Sequence, residues 1–293
     1  MTKHYLPKVL LTILLVFSLI FFIISIICKA SAFNPNFYVK HSASANFILG
    51  NIQTDLENYS HESGIETDEL NSLIDLDSVK NIRDDNIKAA FDFINSKLDS
   101  YSYANEFEYD FSALEKYFSS EAKKHGISED SDEYKEALSS AESNINKLII
   151  DNCDVYKFSA MNKIGLLAKF QKLAKFSNIG IWVSLVAFII FFLAIILISG
   201  PANSIYWIST SFVVSGAIIF IPSIYLRVSG ILSKINIRNA AFIKSVESSG
   251  NSILNILLIV STIIILVFLG LLILDSKIGF KFLKKDLNNK SKS

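Results

Sequence analysis

Cysteine, histidine, proline and glycine are all scarce in this 293-residue chain, which contains 2 Cys, 4 His, 4 Pro and 11 Gly. Two cysteines cannot form the framework of several disulfide bonds that stabilises many small secreted domains. The four histidines lie far apart, and although His61-Glu62 begins like a metalloprotease motif, Ile65 occupies the position of the second histidine. The sequence therefore predicts no metal site.

Motifs for phosphate binding and for nucleophilic catalysis are also missing from the sequence. It contains no glycine-rich phosphate-binding loop and no nucleophile elbow of the form G-x-S-x-G. Acidic pairs such as Asp84-Asp85 and Asp132-Glu133 fall on predicted helix faces, where charged residues are usually solvated. We expect no catalytic residue, no cofactor and no cofactor-binding residue, and hence a protein that is not an enzyme.

Acidic and basic residues are segregated along the chain, although their numbers balance. Residues 33–156 contain 25 Asp and Glu against 10 Lys and Arg, whereas residues 157–175 contain five Lys and no acidic residue. An acidic domain argues against a nucleic-acid partner, because phosphate binding needs a basic surface. The 25 Lys against 3 Arg are typical of an AT-rich genome, and from this composition we predict a bacterial origin.

Four long apolar runs account for much of the chain, at residues 9–27, 179–198, 205–226 and 252–274. Each can cross a hydrocarbon core of about 30 Å as an α-helix. None contains a charged residue, and such residues usually mark ion or proton pathways. The first run follows two lysines and precedes Ala30-Ser31-Ala32; we expect an uncleaved anchor, and the alternative is a cleaved secretory signal peptide.

Apolar residues in the region between the first two runs repeat with the period of a helix, as at Ile48, Ile52 and Leu56. Thr67, Ser78, Asp110 and Ser131 are predicted helix N-caps, and Gly126 is a predicted left-handed residue at a helix end. Four or five amphipathic helices in a region of this length can form a bundle with its own core. The last of them either continues from Ser131 into the second apolar run or breaks near Asp151-Asn152 or Asn178.

The predicted fold is all-α, with four transmembrane helices and a helical-bundle extramembrane domain inserted between the first and the second. The predicted order is a cytoplasmic N-terminus (1–8), transmembrane helix 1 (9–27), an extracytoplasmic acidic helical domain (28–178) with a basic juxtamembrane helix (157–176), transmembrane helices 2 (179–198) and 3 (205–226), an amphipathic interfacial loop (227–251), transmembrane helix 4 (252–274) and a basic cytoplasmic tail (275–293). Since charges in long domains influence translocation less, and the N-terminus resembles an export signal, we expect the domain outside the cell.

Basic residues in the amphipathic stretches before the second run and after the third can reach the membrane interface and contact anionic lipid headgroups. The predicted contacts are Lys163, Lys169, Lys172, Lys175, Lys234 and Arg238. The alternative for the lysines of 157–175 is an ordinary juxtamembrane anchor. Ser209–Gly216 forms a face of small residues on the third run, which we interpret as a helix-packing surface.

The order of anchor, large loop domain, membrane hairpin, short loop and final anchor resembles, in topology alone, the permease-like cell-division proteins of the ABC class. That resemblance implies a relay from a cytoplasmic ATPase to wall enzymes outside, although the predicted cytoplasmic surface is confined to the two termini and residues 199–204. We expect a multi-pass membrane protein that displays its domain as an interaction or sensor protein, with lipids and another membrane or extracytoplasmic protein as partners. The alternative is an accessory or permease-like transport or division subunit that relays conformational change.

Overall fold

The computed structural model describes residues 5–102, 111–234 and 239–290, and the regular secondary structure in this part of the chain is entirely helical. The prediction of an all-α fold is confirmed. The described α-helices are, in chain order, α1 (Tyr5–Ile27), α2 (Pro35–His41), α3 (Ala45–Ser63), α4 (Thr67–Ser72), α5 (Leu76–Ile94), α6 (Ser112–His125), α7 (Asp132–Cys153), α8 (Phe158–Lys163), α9 (Leu166–Ser199), α10 (Pro201–Ser229) and α11 (Ala240–Lys290). A π-helical turn, Cys28–Ala32, directly extends α1.

Within the described ranges, four helices are long and apolar enough to cross a membrane, and each contains one of the predicted apolar runs. Their candidate spans are Tyr5–Ala32, Leu166–Ser199, Asn203–Ser229 and Ala240–Ser276. A helical region lies between the first and second spans, as the sequence predicts. The chain is therefore a multi-pass membrane protein.

The chain divides into two compact units. The membrane unit comprises Met1–Phe33, Leu173–Lys234 and Gly250–Ser293, and the helical domain comprises Asn34–Lys172 and Ile235–Ser249. The helical domain thus includes the first turns of α11.

Helices α1 and α10 pack side by side and parallel in the membrane unit. Ser211 and Ser215 of α10 direct their hydroxyl groups at the carbonyls of Thr12 (3.5 Å) and Val16 (3.3 Å) of α1. Both serines also donate to carbonyls one turn earlier in their own helix, so the small polar face is satisfied within the bundle. The interpretation of Ser209–Gly216 as a packing surface agrees with these contacts.

The core of the helical domain includes the predicted apolar face of α3, where Ile48, Ile52 and Leu56 are completely buried. Ser131 caps α7 by accepting a hydrogen bond from the Tyr134 amide (3.3 Å). Gly126 ends α6 at a φ of +68°, in the left-handed region that favours glycine. These two helix boundaries were predicted correctly.

Two other predicted N-caps need revision. The Asp75 carboxylate, and not Ser78, caps α5 by accepting from the Ser78 amide at 2.7 Å, and an ionised carboxylate is the stronger acceptor. Thr67 is the first residue of α4 and follows its N-cap, Glu66. Asp110 lies outside the described residues, and α6 begins at Ser112.

The predicted basic helix over 157–176 is two helices. Lys157 has a φ of +56° and precedes α8, and Gly165 has a φ of +70° and separates α8 from α9. Helix α7 therefore ends at Cys153, just beyond the predicted break at Asp151-Asn152. The alternative break at Asn178 does not occur, because α9 continues through this residue.

The stretch 227–251, predicted as an interfacial loop, is largely helical in its described residues. Helix α10 continues to Ser229, and α11 begins at Ala240. The side chain of Asn239 accepts a hydrogen bond from the Phe242 amide (2.8 Å) and so fixes the start of α11. Burial of Ala241 and Ser245 within the helical domain stabilises a helix where the sequence suggests only an amphipathic connection.

Candidate functional site

The peptide groups of Ala43, in the loop between α2 and α3, bind side chains from two distant parts of the helical domain. The Ala43 amide donates to Ser245 Oγ at 2.8 Å, and its carbonyl accepts from Arg83 Nη1 at 2.8 Å. Ala43 is only 1% exposed, so both peptide groups depend on these partners. This loop thus joins α5 to the first turns of α11.

Arg83 has a buried guanidinium, with 7% of the residue exposed. Its Nε and Nη2 atoms both contact Asp84 Oδ1, at 2.8 Å and 2.7 Å. The ion pair neutralises the guanidinium and orients its remaining nitrogen at the Ala43 carbonyl. Arg83 is therefore a fixed structural donor.

Tyr156 forms a second connection to α11. Its hydroxyl donates to the Tyr38 carbonyl at 3.1 Å and lies 2.7 Å from Ser249 Oγ. The rings of Tyr38 and Phe158 pack against the Tyr156 ring, with centroids 5.2 Å and 5.5 Å away, and burial raises the pKa of the Tyr156 phenol. We name Ala43, Arg83, Tyr156, Ser245 and Ser249 the α11 clamp.

Asp154 places a buried carboxylate beside the clamp. The carboxylate accepts from the amides of Phe158 (2.8 Å) and Ser159 (3.0 Å) and from Asn86 Nδ2 (3.0 Å). Asn86 Oδ1 in turn accepts from the Tyr101 hydroxyl at 2.5 Å. Burial and the Asp154 charge both raise the pKa of Tyr101. Three donors hold Asp154 at the start of α8, so the carboxylate positions the backbone of this turn.

An open groove with a volume of about 530 Å³ is lined by α6, α7 and the loop between them. Glu129 forms part of its wall, accepting from Ser119 Oγ at 2.6 Å and pairing with Lys123 Nζ at 3.4 Å, both on α6. Partial burial and the charges of Glu129 and Glu115 raise the pKa of Tyr134. We name this surface the α6–α7 groove, lined by Glu115, Lys116, Ser119, Ser120, Lys123, Glu129, Tyr134 and Leu138.

The predicted lipid-contacting lysines that the structure describes are all exposed. These are Lys163, Lys169, Lys172, Lys175 and Lys234, and none of the five forms an ion pair with another described residue. Arg238 lies outside the described residues. Lys169, Lys172 and Lys175 follow one another at intervals of three along α9, which makes consecutive members neighbours on the helix surface. Their contact with lipid headgroups remains a prediction.

Metal-ligand geometry is not found in the described ranges, where no group of three or more His, Cys, Asp or Glu is arranged to hold an ion. The two cysteines are free thiols, and Cys153 is fully buried.

The α11 clamp escaped prediction because serine and arginine are usually read as surface residues. One signal was present. Ser245 and Ser249 stand four residues apart and precede Gly250, and this spacing of small residues indicates close approach of another backbone. No family model matches the chain, and neither a curated protein nor a solved structure matches it.

Proposed function

We propose that this multi-pass membrane protein is a non-enzymatic interaction or sensor protein, which displays its helical domain outside the cell and binds a partner protein there. The α6–α7 groove is the observation that supports this proposal. It offers a concave surface with charges of both signs, Lys116 and Lys123 against Glu115 and Glu129. Tyr134 and Leu138 add partly exposed apolar area for an anchoring side chain.

The expected partner is a protein segment that brings both a charged rim and an apolar anchor to the groove. Charge pairs at a solvent-exposed rim mainly accelerate association and select the partner, whereas the apolar contact supplies most of the affinity. A protein partner of this kind suits the domain better than a nucleic acid does, because the net negative charge of the domain repels phosphate groups.

A photo-crosslinking amino acid at Ser120, which is exposed in the groove, tests the proposal in intact cells. The matched control is the same amino acid at Asp77, an exposed residue in the first turn of α5. We expect one discrete crosslinked protein from position 120 and none from position 77. Its yield should fall when Leu138 is replaced by Asp. Equal crosslinking from both positions would contradict a specific partner site.

A second candidate function is a permease-like or accessory subunit that relays conformational change across the membrane. The observation that favours it is the unbroken course of α11, since Ser245 and Ser249 of the clamp share one helix with the fourth apolar run. Such a subunit requires a nucleotide-hydrolysing partner, which purification in mild detergent should retain. If the purified protein carries no nucleotide-hydrolysing partner but is crosslinked from position 120, the result favours the interaction or sensor function.

A further inference from the structure

The membrane unit contains a cavity of about 270 Å³ whose wall is almost entirely apolar. It lies where the carboxyl-terminal parts of α1 and α10 meet the start of the apolar run of α11. Pro222 of α10 forms part of its wall, and because proline has no amide hydrogen it cannot bond to the carbonyl of Ile218 one turn earlier. Its apolar wall includes Ile24, Ile27, Ile219, Pro222, Leu254 and Leu257.

The hydroxyl groups in the cavity wall have no free proton to donate to a water molecule. Ser31 Oγ donates to the Ile27 carbonyl at 2.6 Å, and Ser223 Oγ donates to the Ile219 carbonyl at 2.7 Å. A buried water needs two to four polar partners, and an apolar cavity of about 150 Å³ is known to stay dry and to bind small hydrocarbons. An empty volume of this size would weaken the bundle, so an apolar occupant is favoured.

Two cations directly follow wall residues of the cavity in the sequence. Lys29 follows the wall residue Cys28, and Arg227 follows the wall residue Leu226. Both are exposed, and neither pairs with an acidic side chain among the described residues. Since α1 and α10 are parallel, both cations belong to the same end of these two helices, and each is adjacent in sequence to a wall residue.

We propose that this cavity binds one acyl chain of an anionic glycerophospholipid, whose phosphate lies between Lys29 and Arg227. The apolar wall selects the hydrocarbon, and the two cations select the negative headgroup over a zwitterionic one. This site differs from the exposed lysines of α8 and α9, which offer charge without a cavity. It is also independent of the α6–α7 groove.

Lipid retained by the full-length protein tests the proposal. The protein is exchanged from native membranes into a mild detergent, washed, and analysed for bound phospholipid by class. We expect about one retained phospholipid per chain, enriched in anionic headgroups relative to the source membrane. Retained lipid with the same headgroup composition as the source membrane would overturn the proposal.

Variants separate the two parts of the site. Ser223→Leu and Ala32→Leu each add volume to the cavity from a different helix, and each should lower the retained lipid on the order of tenfold. Leu197→Phe adds volume at a residue that is 84% exposed and should leave retention unchanged. Unchanged retention in both cavity variants, with folding verified by their elution profile, would overturn the proposal.

The role of the two cations is tested with the double substitution Lys29→Gln with Arg227→Gln. It should reduce the ratio of anionic to zwitterionic lipid on the order of tenfold, since each basic residue near the surface contributes to headgroup selection. Lys80→Gln with Lys147→Gln removes two exposed lysines of the helical domain as a control and should leave the ratio unchanged. An unchanged ratio in the Lys29 and Arg227 variant would show that the cavity does not select anionic lipid, and would overturn the proposal.

Discussion

The hydroxyl of Tyr156 lies 2.7 Å from Ser249 Oγ, although the two residues are 93 positions apart in the chain. A phenol has one proton, and Tyr156 donates it to the Tyr38 carbonyl at 3.1 Å, so Ser249 is the donor in the shorter bond. One buried oxygen therefore connects α2, the turn before α8 and the first turns of α11. This connection makes residues 240–249 part of the helical domain.

The substitution Tyr156→Phe should lower the free energy of unfolding by about 1–3 kcal/mol, because it leaves the Tyr38 carbonyl and the Ser249 hydroxyl without their shared partner. The ring is retained, so the packing against Tyr38 and Phe158 should persist. Thermal unfolding of the full chain in detergent measures the effect. Tyr59→Phe, at a tyrosine whose hydroxyl has no partner among the described residues, is the control. Equal stability of the two variants would contradict a structural role for the bond.

Arg83→Met should lower the free energy of unfolding by about 3 kcal/mol, more than the tyrosine variant, because it leaves the partly buried Asp84 charge and the buried Ala43 carbonyl without the guanidinium. The double variant with Asp84→Asn removes the uncompensated charge and should recover part of the loss. A double-mutant cycle on the free energies of unfolding measures the coupling. Additive losses would show that the two side chains act independently.

The helical fold could be predicted because its determinants are local in sequence. The four apolar runs, the face of Ile48, Ile52 and Leu56, and the boundary at Gly126 and Ser131 all follow from spacing and residue type. The N-cap at Asp75 was missed because two acceptors, Asp75 and Ser78, stand within one turn, and sequence alone does not decide between them. The α11 clamp and the α6–α7 groove depend instead on tertiary contacts.

The α11 clamp depends on contacts between residues that are far apart in the sequence. Arg83 lies 40 positions from Ala43, and Ser245 lies 202 positions from it. No local pattern encodes such a pairing, and burial reverses the usual preference of serine and arginine for the surface. The α6–α7 groove was likewise not predicted, since the periodicity of each helix does not determine how two helices meet.

High pH should destabilise the helical domain. Burial raises the pKa of the Cys153 thiol to about 12 and raises the pKa values of the Tyr101 and Tyr156 phenols. In the unfolded chain these groups lose protons near their ordinary values, so above about pH 9 the unfolded state binds fewer protons than the native state. Stability should then fall with rising pH, by up to about 1.4 kcal/mol per pH unit for each group.

As the pH rises, the Cys153 thiol is the first of these groups to lower the stability, since its ordinary pKa of 9.0 is lower than the 10.0 of tyrosine. Cys153→Ala should therefore shift the onset of alkaline destabilisation towards pH 10, even if it lowers the stability at pH 7. Thermal unfolding measured from pH 7 to pH 11 records the onset. An onset unaffected by the substitution would indicate that the thiol ionises as readily in the folded chain as in the unfolded one.

Buried Cys153 also simplifies a test of membrane orientation. In a Cys28→Ala background, a membrane-impermeant maleimide should not react with Cys153 in the native chain, because the thiolate is the reactive form and burial suppresses it. A cysteine at exposed Ser139 of α7 should be labelled in intact cells, whereas one at Ser293 should be labelled only after permeabilisation. The reverse pattern would place the helical domain in the cytoplasm.

Gly216 of α10 should be intolerant of any side chain. A Cβ at this position would lie 2.8 Å from Ile265 Cγ1 and 3.2 Å from the Ser261 carbonyl oxygen of α11, and the second contact is backbone that cannot rotate away. Gly216→Ala should lower the free energy of unfolding by about 1–3 kcal/mol, because the two helices must separate.

Gly270 of α11 provides the matched control, because a Cβ added there has no atom within 4 Å. Gly270→Ala should leave stability unchanged or increase it slightly, since alanine favours the helix more than glycine does. The unfolding midpoints of the two variants in the same detergent give the comparison. Because both substitutions add one methyl group to a membrane helix, a difference between them reports the close contact of α10 with α11, and equal midpoints would mean that this contact relaxes without loss.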